Sequence, residues 1–151
     1  MNPTRTSESG TVRRRSPRRG WPDLALRVGI CASVAISGYL HFDLYRGGYR
    51  HVAVIGPAFL VQAAASGAIV VLLLVGGPIA LRIAAGLLAG GALTAFVLSR
   101  TVGLYGFTEI GWQPAPQAAV SVAAELTTVV LCVVSLLLVT RSRGAGRGRS
   151  R

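Results

Sequence analysis

Glu125 is the residue whose chemistry most needs a reason. It stands eight residues after Gln117, inside the apolar run AVSVAAELTTVVLCVVSLLLV. A carboxylate in hydrocarbon costs roughly 2.5 to 3.5 kcal/mol, so it is expected to have a partner or a task. Arg100 closes the preceding apolar run, and the two are joined by a loop rich in glycine, aromatics and proline, TVGLYGFTEIGWQPAP. Gln62, His41, Asp43 and Glu109 are the other polar side chains that could gather near them. Such a set can do one of two things: lock helices together through a charge pair, or present a protonatable group to a ligand.

Covalent chemistry finds no support. There is no phosphate-binding glycine loop, no zinc spacing and no serine with a histidine at a matching depth. Two carboxylates cooperating at a sugar would both have to reach a water-facing site, and only Asp43 and Glu109 do so. Neither histidine, His41 or His51, falls in the middle of an apolar run, and the single methionine is the first residue, so no metal or cofactor is expected. Cys31 and Cys132 lie singly in apolar runs and read as small buried hydrophobes. The chain is not expected to be an enzyme.

The elements that must position these groups are helices. Hydrophobic residues make up 52% of the 151, and they are segregated from a large positive charge. Eleven of the sixteen arginines lie in the two tails, which with Glu8 carry +10 of the net +11. Between the tails four apolar runs, 24–42, 53–75, 79–99 and 117–139, come close to or exceed the ~20 residues a helix needs to cross a bilayer. Pro57 falls in the first turn of the second run, where its missing N–H costs least. Gly76, Gly77 and Pro78 part the second run from the third by a tight turn. The expected fold is therefore all-α: a polytopic four-helix up-down bundle, 21–140, between a disordered basic arm, 1–20, and a disordered basic tail, 141–151.

Counting arginines on either side of four spans gives thirteen against three, so both termini are expected in the cytoplasm and the protein in the plasma membrane. The tails hold no interleaved aromatics, which favours contact with anionic lipid headgroups over nucleic acid. Small residues spaced by four, Gly29, Ser33 and Ser37 in the first helix and Gly86 and Gly90 in the third, mark expected packing faces. In the fourth helix Ser121, Glu125, Thr128, Cys132 and Ser135 share one face. At 1.5 Å per residue Glu125 lies about 12 Å below the outer boundary and Gln62 about 9 Å. The expectation is an outer-half polar layer of Glu125, Gln62 and Arg100, roofed by His41, Asp43 and Glu109, with Glu109 a solvated loop carboxylate.

The segments YLHFDLYRGGYRHVAVIGPAFLVQA and SRTVGLYGFTEIGWQPAPQ, followed by AEL, resemble a group of small four-helix membrane proteins of high-GC bacteria. That resemblance covers about two thirds of the chain, implies the four-span architecture and supplies no activity. The expected function is a non-enzymatic accessory or interaction subunit, meeting a membrane partner or a second copy of itself. The alternative is a small-solute or proton-linked carrier or sensor built on Glu125. A third reading is a haem- or quinone-binding bundle using His41 or His51.

Overall fold

The computed structural model describes residues 20–147, with side chains described through Arg141. It is all-helical: α1 is Gly20–Gly47, α2 is Ile55–Leu74, α3 is Ile79–Thr101 and α4 is Gln117–Arg147, with a 3-10 turn at Tyr49–His51. All four helices are long and apolar enough to cross a membrane, so by length and composition this is a multi-pass membrane protein. Residues 1–19 of the basic arm and 148–151 of the tail lie outside the described residues, whereas 141–147, expected as part of a disordered tail, continue α4 as helix.

Two helices outrun the spans that hydropathy suggests. α1 continues to Gly47 instead of stopping at Phe42, and α4 continues to Arg147, past Val139. A helix satisfies its own backbone, so it has no reason to end where the apolar residues end. What stops a helix is a specific device. α2 stops at a Schellman motif, in which Gly76 at φ 101° donates its N–H to Leu73 O at 3.2 Å and Gly77 donates to Leu72 O at 2.9 Å.

The helices form a ring in which α1 packs on α2 and α4, α3 packs on α4, and the α2–α3 seam is the slightest; α2 and α4 do not meet. α1 approaches α2 closely at Gly38, where a Cβ would come within 2.6 Å of Ser66 Cβ. The expected Gly86–Gly90 face is only half used. Gly86 lies against Cys132, but nothing comes within 4 Å of a Cβ placed on Gly90.

Along its length the bundle is layered. At the end carrying the Gly76 turn, Arg82 Nη1 lies 2.7 Å from Asp23 Oδ1 and donates to Ser135 Oγ at 2.5 Å. Arg27 Nη2 donates to Leu74 O at 2.8 Å, capping the end of α2. Above this clasp sits the apolar core, Ile30, Cys31, Val34, Ile69, Leu73, Ala85 and Cys132. The other half of the bundle is not filled in this way, and the polar residues gather there.

Candidate functional site

The seam between α1 and α4 is polar. Ser33 Oγ and Thr128 Oγ1 are 2.7 Å apart, and one turn further on Ser37 Oγ donates to Glu125 Oε1 at 3.1 Å. From within α4, Ser121 Oγ donates to the same oxygen at 2.9 Å. His41 Nε2 lies 3.8 Å from it. The α4 face anticipated from spacing is the buried one: Ser121, Glu125, Thr128, Cys132 and Ser135 are each at most 7% exposed. Its mate is the small-residue stripe of α1, which extends by one more step of four from Ser37 to His41.

The histidine geometry carries a chemical consequence. Nδ1 lies 2.8 Å from the carbonyl oxygen of Ser37, which can only accept, so Nδ1 carries a proton. In a neutral ring Nε2 is then a lone pair facing a carboxylate oxygen. Two lone pairs repel, so the pair calls for one proton between them, on Nε2 or on Glu125, or for a donor supplied from outside.

Arg100 does not take this place, which corrects the expected Glu125–Arg100 pairing. Its Nε donates to Gly111 O at 2.9 Å, its Nη2 to Gln113 O at 2.6 Å and its Nη1 to Ser99 Oγ at 2.7 Å. Its guanidinium carbon also stands 3.6 Å from the centre of the Phe96 ring. The loop after α3 folds back over the helix end, and its carbonyls satisfy the arginine before any carboxylate can. Arg100 is thus the peg of that loop.

Between the α1–α4 seam and the loop lies a cavity of about 220 Å³, lined from every helix. Glu125, Ser121, His41 and Gln62 face it, and Arg100, Glu109 and Tyr49 line it too. Five of the six expected site residues therefore come together around one space. Asp43 does not: it is exposed and lines no part of it. The walls between the polar groups are apolar, including Phe59, Phe107, Ala92 and Ala95. Gly91 lines the cavity and is exposed, so the space reaches the surface of the bundle along the loose α2–α3 seam.

An aromatic cap covers the opposite side. Phe59 meets His41 edge-on at 5.1 Å, and Tyr49 packs on Phe59 at 5.1 Å and on Phe107 at 5.8 Å. The Tyr49 hydroxyl donates to Glu109 Oε1, and Glu109 N–H donates to Ser99 O at 3.0 Å. Glu109 is therefore half-buried and engaged, not the solvated loop carboxylate expected. Burial raises the Tyr49 phenol above the ordinary tyrosine range, and the bond to Glu109 and its charge add to the rise.

Entry to this cap runs through strained backbone. Val54 has φ 66° and ψ −47°, with Ile55 N–H donating to Ala53 O at 2.7 Å, the geometry of the rare γ-turn. His51 is exposed, accepts from Arg50 Nε and lies off the cavity. Among the described residues no three of His, Cys, Asp and Glu come together to hold a metal ion. No family model, no curated protein and no solved structure matches this chain.

Proposed function

We propose that this chain is a carrier or sensor of the plasma membrane: an up-down four-helix bundle with both termini in the cytoplasm, whose outer half receives a small molecule. The observation that carries the reading is Glu125, 2% exposed, hydrogen-bonded to two serine hydroxyls with the His41 imidazole 3.8 Å away, and facing a cavity without an arginine paired to it. A carboxylate serving only to lock helices would be expected to spend its charge on a permanently charged arginine, whereas a titratable imidazole beside it leaves a proton to exchange. Contact of the arginine-rich tails with anionic headgroups belongs to the same proposal.

The accessory-subunit expectation has less behind it. The residues it would offer to a partner, such as Val61, Leu87 and Val130, are exposed apolar side chains that lipid covers equally well. The haem or quinone reading loses His51 from the cavity and keeps a single imidazole.

The test is a screen of small charged and neutral compounds for their effect on the unfolding midpoint in mild detergent, for the wild type and for Ala95→Phe, which fills the cavity. A ligand at a hundred times its Kd stabilises by about 2.7 kcal/mol. At least one compound is expected to raise the wild-type midpoint and leave the variant unmoved. Shifts equal in both proteins would remove the cavity from the reading.

A further inference from the structure

We infer that the ligand of this cavity is a small organic cation, an ammonium with an aromatic or alkyl body, and that it enters in exchange for one proton held between His41 and Glu125. The inference rests on the binding reading above and adds the chemical class of the ligand.

Charge is the first reason. The ionisable side chains lining the cavity are two carboxylates, Glu125 and Glu109, one guanidinium, Arg100, and the side chains of His41 and Tyr49. Arg100 is spent on carbonyls and a hydroxyl, and Glu109 on the Tyr49 hydroxyl. With the histidine and phenol neutral, the lining is one negative charge in excess. That excess sits at Glu125, where α2 contributes only the uncharged Gln62 and α4 only Ser121.

Geometry is the second. Both serine hydroxyls and His41 converge on a single carboxylate oxygen, Oε1. With Nδ1 donating to Ser37 O and Nε2 3.8 Å from Oε1, one proton on either His41 or Glu125 relieves the two facing lone pairs when no other positive group is present. A bound cation supplies that positive charge and lets the proton leave to solvent, so charge in the cavity is conserved: one ammonium in, one proton out.

The walls give the third reason. The rings of Phe59, Tyr49 and Phe107 form a connected aromatic side to the cavity, and the negative faces of such rings attract quaternary and other ammonium groups. At roughly 30 Å³ per water, about 220 Å³ is room for about seven waters, enough for a compact cation of one ring and a few carbons. The loose α2–α3 seam beside Gly91 gives an amphipathic cation a way in from the side.

Titration calorimetry in a non-ionic detergent tests this with three probes of one shape: benzyltrimethylammonium, benzyl alcohol and benzoate. The cation carries its charge at every pH, so any pH dependence of its binding belongs to the protein. Only the cation is expected to bind, with about one proton released, read from the heats in two buffers of different ionisation enthalpy. Its affinity is expected to rise with pH by up to about tenfold per unit where the proton is being displaced. Glu125→Gln should weaken it by about tenfold or more, and Ala95→Phe should abolish it. Should Glu125→Gln fail to fold, the proton release in wild type and the Ala95→Phe variant still decide the matter.

Alcohol or benzoate binding as well as the cation, and blocked by Ala95→Phe, would overturn the ligand class while leaving the cavity a binding site. Cation binding without proton release would overturn the exchange. Binding of none of the three would overturn the ligand class, and the wider compound screen then decides the binding reading separately.

Discussion

Ser37 and Glu125 should be energetically coupled across the α1–α4 seam, and Arg100 and Glu125 should not. The perturbation is a pair of double-mutant cycles, Ser37→Ala with Glu125→Ala, and Arg100→Ala with Glu125→Ala. The Ser37 hydroxyl donates to Glu125 Oε1 at 3.1 Å between helices that both contribute to the packed seam. Hydrogen bonds between membrane helices couple by about 0.6 kcal/mol on average and up to about 1.7. A charged acceptor moves the value up, and the second donor on the same oxygen, Ser121 at 2.9 Å, moves it down. We expect a coupling of about 1 kcal/mol for Ser37, and less than about 0.5 kcal/mol for Arg100, whose donors go to Gly111, Gln113 and Ser99. Reversible unfolding in mixed micelles, followed by helical circular dichroism, reads both cycles. A larger coupling for Arg100 than for Ser37 would refute the reasoning, because it would restore the direct acid–base lock.

Three further outcomes follow from particular contacts. Gly38→Ala drives a methyl to within 2.6 Å of Ser66 Cβ and should cost about 1 to 3 kcal/mol in the same unfolding assay; adding Ser66→Gly should recover part of it, and a neutral Gly38→Ala would contradict the close crossing. At the clasp, Asp23 is 55% exposed while Arg82 is 8% exposed at its side chain, so Asp23→Ala, which orphans the buried charge, should destabilise more than Arg82→Met, which orphans a carboxylate that water can reach. The Tyr49 phenol is raised above its ordinary value of 10.0, so the folded state keeps that proton longer than the unfolded one, and the associated stability is complete below pH 10 and lost as pH climbs through the raised value. The absorbance difference at 295 nm between wild type and Tyr49→Phe should therefore titrate above the ordinary tyrosine range, and a difference curve centred near 10 would contradict the buried Tyr49–Glu109 bond.

The four helices were legible because hydropathy and length alone decide them, and the Gly76–Gly77 turn because only a left-handed residue closes a helix that way. The buried face of α4 was legible too, since steps of three and four from Ser121 to Ser135 leave no other side for the polar groups. The partner of Glu125 was missed for a physical reason. Ending the first helix at Phe42, where polar residues begin, puts His41 at the rim, whereas α1 runs on to Gly47 and sets His41 six residues, about 9 Å, below its end. That depth matches Glu125, about 12 Å from the start of α4. The signal was present: the Gly29, Ser33, Ser37 stripe continues to His41 at the same interval.

Arg100 was misplaced because its fate depends on the path of the 102–116 loop, where Tyr105 at φ 51° and glycines 103, 106 and 111 at positive φ set a course that no periodicity encodes. Asp23 and Arg82 each lie three residues past the start of helices that begin at the same end of the expected bundle, so their pairing could have been read from topology. Each, taken alone, looks like an ordinary charge at a helix end.

The most direct test of the central claim, that Glu125 opens onto a cavity in the outer half of the bundle, is the thiol reactivity of Ala95→Cys against Val97→Cys. Ala95 lines the cavity, and Val97, two residues along α3, is 56% exposed on the apolar surface. Both are treated with the small cationic reagent 2-aminoethyl methanethiosulfonate in proteoliposomes, over a wild-type baseline set by the buried Cys31 and Cys132. The thiolate that reacts forms in water and not in hydrocarbon, so Ala95→Cys is expected to react about tenfold faster or more, and to be slowed by benzyltrimethylammonium. Equal rates, or a faster reaction at Val97→Cys, would contradict it.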